Sequence, residues 1–276
     1  MNELAGLNAI LTGASGGIGT YIARALAMQG VNLVLAARSV DKLETLAGEM
    51  RALGVTAEAV ACDVCDEDSR QALIARAIEV LGHVDILINN AGVEEVVHFE
   101  LQDPEMIRAT IDTNLLAPML LTRSLLPHMI ERNSGHVINI SSLSGRTGMP
   151  YGSAYAGSKA GIAEWGLSLA VEMKDRGVAV TNVIPGFVSD AGMHARKGRP
   201  APNAIGEVTP EKVAAAVVKA LNKKPLEIFV TKRPVKPLIA LKALSTNAAL
   251  KVGETMGVVS YLRTLADDRA RKNQKP

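Results

Sequence analysis

Aromatic residues are scarce: Phe, Trp and Tyr together make up 3% of the chain. Any core must therefore be aliphatic, and Ala, Val, Leu and Gly are plentiful. That mix suits buried parallel strands covered by closely packed helices. Cysteine is nearly absent, with only Cys62 and Cys65. Two thiols cannot build a disulfide framework, and no second Cys pair or His pair completes a zinc site around them. No metal is expected, and a reducing compartment fits. Uncharged apolar runs long enough to span a membrane are missing. So is the basic, apolar and small-residue pattern of a signal peptide at the start. The formal net charge of +2 is too small to imply a nucleic-acid partner. These absences point to a soluble, cytoplasmic protein.

The 276 residues, 48% of them hydrophobic, suffice for one sizeable α/β domain. Short apolar runs predict strands at Ala9–Thr12, Asn32–Ala36, Ala57–Ala61, Asp85–Asn89, His136–Ser141, Ala179–Ile184 and Glu227–Thr231. Helical periodicity falls between them, near 17–29, 40–53, 67–81, 104–132 (broken), 153–176 and 209–222. Thr209-Pro210-Glu211 reads as an N-cap, a first-turn proline and an acidic first turn. Strands apolar throughout and alternating with helices imply a doubly wound parallel sheet of about seven strands. Composition shifts after residue 231. Residues 232–276 carry ten Lys/Arg against three Asp/Glu, and residues 1–231 carry twenty against twenty-five. The expected organisation is a Rossmann-type domain over 1–231 with a basic, partly apolar extension over 232–276.

The first strand runs into Thr12-Gly13-Ala14-Ser15-Gly16-Gly17-Ile18-Gly19 and then a helix. Glycines there permit a tight turn and close approach of backbone to a pyrophosphate resting on the helix N-terminus. The second strand ends in Ala36-Ala37-Arg38-Ser39, with no carboxylate to hold ribose hydroxyls. A guanidinium there can fork onto a 2′-phosphate, which favours NADP, with NAD as the alternative.

Tyr155 and Lys159 stand four residues apart, on one face of a helix. A cation beside a phenol favours the phenolate, which makes the pair a candidate acid/base for carbonyl and alcohol chemistry. Ser141-Ser142 ends the fifth strand, and Asn89-Asn90-Ala91-Gly92 ends the fourth. Strand ends of open α/β sheets face the ligand crevice.

Thr-Gly-x-x-x-Gly-Ile-Gly, Asn-Asn-Ala-Gly, the serine and Tyr-x-x-x-Lys in this order resemble the short-chain dehydrogenase/reductase family in its compact form, over about residues 5–231. The resemblance implies an NADP(H)-dependent oxidoreductase acting on a small-molecule carbonyl or alcohol. It makes Tyr155 the general acid/base and Ser142 the group that polarises the substrate oxygen. Lys159 lowers the tyrosine pKa and binds the ribose hydroxyls, and Asn114 holds a water in a proton relay. Asp63 and Val64 contact the adenine, and Asn90, Ala91 and Gly92 line the ribose. Pro185, Gly186 and Val188 grip the carboxamide. Gly13, Ser15, Gly16, Gly17, Ile18 and Gly19 form the phosphate loop. The chain departs from the family at Asp190, where a threonine is common and Ser189 is the alternative contact, and at Gly16, where NADP users often carry a base.

A catalytically silent cofactor-binding regulator is the competing function; all four catalytic positions being filled weighs against it. Trp165 reads as a core or dimer-contact residue. His98, His128 and His136 read as surface or strand-end residues, His194 as a solvated loop residue in preference to a substrate contact, and Glu94-Glu95 as a solvated face in preference to the border of the pocket mouth. Apolar helices near 113–132 and 153–176, which pair in related enzymes, suggest a homodimer or homotetramer. For the tail, packing on the acidic body is preferred over peripheral contact with an anionic membrane.

Overall fold

The computed structural model describes residues 3–273. In chain order the strands are β1 (Asn8–Thr12), β2 (Asn32–Ala37), β3 (Ala57–Ala61), β4 (Ile86–Asn89), β5 (Gly135–Ile140), β6 (Val178–Pro185), β7 (Phe187–Val188), β8 (Glu207–Val208) and β9 (Glu227–Val230). The helices are α1 (Ile18–Ala27), α2 (Val40–Ala52), α3 (Glu67–Leu81), α4 (Pro104–Ile111), α5 (Ala117–Glu131), α6 (Ser144–Thr147), α7 (Ser153–Glu172), α8 (Gly192–Ala195), α9 (Pro210–Lys223), α10 (Lys236–Leu244), α11 (Thr246–Thr255) and α12 (Val258–Asn273). Seven strands form one parallel sheet in the order β3-β2-β1-β4-β5-β6-β9, and β7 and β8 make a separate small ribbon. This is the doubly wound Rossmann arrangement that the strand and helix pattern predicts.

Alternate residues of each strand point to opposite faces, so the sheet divides the aliphatic core in two. Leu11, Leu33, Leu35, Ile86 and Ile138 pack under α1, α2 and α9, while Ile10, Val34, Leu87, Val137 and Val180 pack under α3, α5 and α7. Every residue of β1 and β5 is buried, which is why Ala9-Ile10-Leu11 and Val137-Ile138 read as apolar without alternation. Polar residues on the central strands pair with one another. Asn89 Nδ2 donates to Asn139 Oδ1 (3.0 Å), Asn139 Nδ2 to Asn182 Oδ1 (3.2 Å), and Asn182 Nδ2 to the Ala163 carbonyl (2.8 Å). This buried ladder runs from β4 across β5 and β6 into α7, fixing the helix that carries Tyr155 to the sheet.

The predicted break in 104–132 is a π turn over Asp112–Leu116, with Asn114 in its middle. Thr209 does occupy the N-cap of α9 before Pro210, but its hydroxyl makes no capping hydrogen bond. Trp165 is partly buried against the α3/α5/α7 core. His136 lies at the start of β5, a strand-end residue but a buried one, its Nε2 2.9 Å from Thr181 Oγ1, and burial pushes its pKa down to about 3.

Beyond β9 the chain forms α10, α11 and α12. Lys242 Nζ donates to the Arg146 carbonyl (2.9 Å), tying α10 to α6. Leu262, Leu265 and Ala266 of α12 are buried with Val96. Among the described residues no helix is long and apolar enough to cross a membrane.

Candidate active site

Strand order reverses between β1 and β4, and in such sheets the crevice beyond that point receives ligands. The turn from β1 into α1 is crowded. Gly13 has φ +64°, and a Cβ there would stand 2.7 Å from the Ala91 Cα; one on Gly19 would stand 2.3 Å from the Gly13 carbonyl oxygen. Only glycine lets the loop fold this tightly against the end of β4. Thr12 and Asn90 lock the two strand ends together. Thr12 Oγ1 accepts from the Asn90 and Ala91 amides (3.0 and 3.1 Å), and Asn90 Nδ2 donates to the Thr12 and Gly13 carbonyls (3.0 and 3.1 Å).

A cavity of about 460 Å³ runs along this edge. Arg38, Asp63 and Val64 stand at one end. Gly13, Ser15, Gly16, Gly17, Ile18, Asn90, Ala91 and Gly92 form its middle, and Ser142, Tyr155, Lys159, Pro185, Gly186 and Val188 its other end. Of the residues singled out from the sequence, Gly19 and Asn114 lie behind the wall. Arg38 is exposed and has neither ion pair nor hydrogen bond among the described residues. Ser189 is drawn to β8, its amide donating to the Val208 carbonyl (2.9 Å), and Asp190 is exposed with φ +57°. Cys62 is buried at the cavity wall and Cys65 is exposed; both are free thiols.

Lys159 is buried on α7 and its Nζ donates to the Ile140 carbonyl (2.8 Å), 5.9 Å from the centre of the Tyr155 ring. Burial pushes the lysine down to about 8, against the pull of Glu94. In the protein alone the phenol is raised, contrary to the lowering that its pairing with Lys159 implies. Burial and the Glu94 carboxylate push Tyr155 well above its ordinary value, and the Ser142 hydroxyl opposes this. Ser142 Oγ in turn accepts from the Ser144 hydroxyl (2.9 Å) and amide (3.2 Å). The Asn114 amide is fully engaged. Its Oδ1 accepts from the Val93 amide (2.8 Å), and its Nδ2 donates to the Val93 carbonyl (2.8 Å) and to Ser158 Oγ (3.0 Å). The side chain is thus a clamp joining the π turn, the β4 turn and α7.

Glu94 and Glu95 do not form a solvated face. The Glu94 side chain is 8% exposed, lines the cavity and pairs with Lys197 (2.8 Å); that of Glu95 is 9% exposed and pairs with Arg269 on α12. His194 is likewise no solvated loop residue: it is buried, with Nε2 2.7 Å from Glu207 Oε1 and Nδ1 3.3 Å from the Tyr261 hydroxyl. His98 is half-buried, 2.7 Å from Asp267 Oδ1. Sequence reasoning passed over Lys197, Tyr261, Val258 and Leu262. The only signal it offered was the apolar spacing of the tail.

Residues 7–201 match the short chain dehydrogenase family. The chain is 38% identical to the ketoacyl reductase HetN of Nostoc sp., over 98% of this chain and 96% of that protein. It is 39% identical to the oxidoreductase UcpA of Salmonella typhimurium, over 83% of this chain and 86% of that one. Two solved structures share the fold. A metagenomic short-chain oxidoreductase in complex with NADP has a TM-score of 0.71 and 35% identity, over 82% of this chain and 97% of its own. A variant actinorhodin polyketide ketoreductase with NADPH has a TM-score of 0.76 and 29% identity, over 81% and 95%. With the family match covering most of the chain and the glycine turn, serine, tyrosine and lysine gathered on one cavity, the chain belongs to the short-chain dehydrogenase family of oxidoreductases.

Proposed function

We propose that this protein is an NADP(H)-dependent oxidoreductase that interconverts a carbonyl and an alcohol, with Tyr155 as general acid and base. The observation that carries this reading is one continuous cavity, with an unpartnered arginine at one end and Tyr155, Ser142 and Lys159 at the other. The residues fit the cofactor. The crowded glycine turn leaves no side chain between a pyrophosphate and the start of α1. Arg38 is free to fork onto a 2′-phosphate, and no carboxylate ends β2 to repel it. Two related structures hold NADP or NADPH.

When bound, the reduced nicotinamide supplies a hydride. Ser142 would hold the carbonyl oxygen, and Tyr155 would donate the proton to it. A phenol raised by burial keeps that proton at neutral pH, the state that reduction requires. Lys159 would bind the ribose hydroxyls and, with water beside the Asn114 turn, return the proton to Tyr155. HetN is named a ketoacyl reductase and the actinorhodin enzyme a polyketide ketoreductase. We take a ketoacyl carbonyl as the substrate and reduction as the direction.

The body over 1–231 would carry this chemistry. Ile111, Leu116 and Val171 leave exposed apolar surface on α4, the π turn and α7, which suits a homodimer or homotetramer. Light scattering showing only a 29 kDa monomer at micromolar concentration overturns that assembly.

Tyr155→Phe is the test of mechanism. Turnover falls by about a hundredfold or more, the usual contribution of a general acid, while NADPH titration stays close to wild type. Retention of about a tenth of the rate refutes the role of Tyr155.

A further inference from the structure

The family match ends at residue 201, yet the cavity is closed by residues far beyond it. Val258 and Leu262 of α12 both line it. They stand one helical turn apart, and Ala266 continues the same face. Leu262 and Ala266 are almost wholly buried.

Around this face the helix is fixed to three separate segments. Asp267 meets His98 (2.7 Å) and Arg269 meets Glu95, in the stretch after β4. Arg263 Nε donates to the Tyr151 hydroxyl (2.8 Å), in the loop before α7. Asp268 pairs with Arg199 (2.8 Å), and the Tyr261 hydroxyl donates to the Arg199 carbonyl (3.2 Å). Tyr261 also stacks edge-on against Phe187, with ring centres 5.9 Å apart. Residues flanking or lining the Tyr155 end of the cavity belong to these same three segments. A helix that touches all three walls is itself a wall.

The lining it completes is largely apolar. Met149, Phe187, Met193, Ile205, Val258 and Leu262 come together there. Of the charged and titratable groups in the same wall, Glu94 pairs with Lys197 and His194 with Glu207, while Arg196 is exposed. Apolar walls reward a hydrocarbon and penalise a charge. Two methionines among six wall residues supply a surface that adapts to chains of differing shape.

We infer that α12 builds a binding subsite for an uncharged hydrocarbon chain attached to the reacting carbonyl, with Val258 and Leu262 as its specificity-determining residues. The inference rests on the reading of this cavity as a carbonyl reductase site. It assigns the C-terminal extension a direct part in substrate choice.

The experiment measures kcat/KM with NADPH for 3-oxoacyl thioesters of graded chain length. Each methylene that enters the subsite raises kcat/KM by about fourfold. In Val258→Trp the indole occupies the subsite, and the ratio of long-chain to short-chain kcat/KM falls at least about tenfold, chiefly through KM. In Val258→Ala the preferred length moves upward. A ratio unchanged in both variants, with normal NADPH titration showing the proteins folded, overturns the subsite. A second measurement separates this inference from the reaction it rests on. Calorimetric titration of NADPH-loaded protein with decanol and with butanol reads the subsite without turnover. Tighter binding of decanol that Val258→Trp abolishes supports the subsite even where no thioester is reduced. Equal binding of the two alcohols refutes it.

Discussion

Arg38 offers the sharpest quantitative test. It sits where β2 ends, exposed, at the edge of the cavity and without a partner of its own among the described residues. Its removal therefore breaks nothing inside the protein, and any effect belongs to a ligand. A charge-assisted hydrogen bond contributes about 1.5–3 kcal/mol, and exposure to solvent places this one toward the lower end. At about 1.4 kcal/mol per tenfold, Arg38→Leu weakens NADPH binding by about ten- to thirtyfold. NADH lacks the 2′-phosphate, so its affinity changes by less than about twofold on the same reasoning. Adding Ala37→Asp then reverses the preference, because the carboxylate holds the ribose hydroxyls and repels the phosphate. Fluorescence titration of both cofactors against wild type and variants gives all the numbers. Raising the salt should shrink the NADPH advantage of the wild type and leave the Arg38→Leu variant nearly flat. Equal affinity of the wild type for the two cofactors, or an equal loss of both in Arg38→Leu, refutes the role given to this arginine.

Two further outcomes follow from buried titrating groups. Lys159 is pushed down to about 8 by burial and held up by Glu94. Carbonyl reduction should thus be steady near neutrality and fall above about pH 8 as the ammonium is lost. Glu94→Gln removes the supporting charge, so the alkaline fall should move to lower pH; a profile identical to wild type separates Glu94 from the catalytic pair. His136 has a folded pKa of about 3 against an ordinary value of 6.5. As pH falls below 6.5 the unfolded chain takes up a proton that the folded chain refuses, so stability drops across the window from 6.5 to about 3. The loss reaches about 2 kcal/mol at pH 5. Denaturant midpoints across that window read it, and His136→Gln should flatten the slope.

Local signals carried most of the fold. β1 and β5 are buried along their whole length, so short apolar stretches mark them even where His136 and Asn139 interrupt β5. The break in the 104–132 segment was visible too, though not that it is a π turn with Asn114 at its centre. The Gly13 and Arg38 end of the cavity depends on residues close in sequence to strand ends, which short motifs describe well. The Tyr155 end does not. Glu94 and Lys197 are 103 residues apart, and each alone looks like an ordinary surface charge. Whether a carboxylate is solvated or buried in a pair depends on its partner, and the partner is set by tertiary packing. The reading of His194 as solvated fails for the same reason, since Glu207 becomes its neighbour only after the chain has folded. The tyrosine pKa is a sum over burial and Glu94, and Tyr-x-x-x-Lys spacing reports on neither.

The anchoring of α12 also has a consequence for how the protein comes into being. Its contacts with His98 and Glu95 join residues separated by 169 and 174 positions. Contacts of that span cannot form until nearly the whole chain has been made, whereas β1 and β2 can pair within the first forty residues. During synthesis the glycine turn and the neighbouring strands are therefore available well before the last wall of the substrate cavity. A nascent or C-terminally nicked chain would hold its nucleotide crevice while the hydrocarbon-lined end stood open to water. Competence to bind cofactor and competence to enclose a substrate arrive at different moments in the life of the molecule.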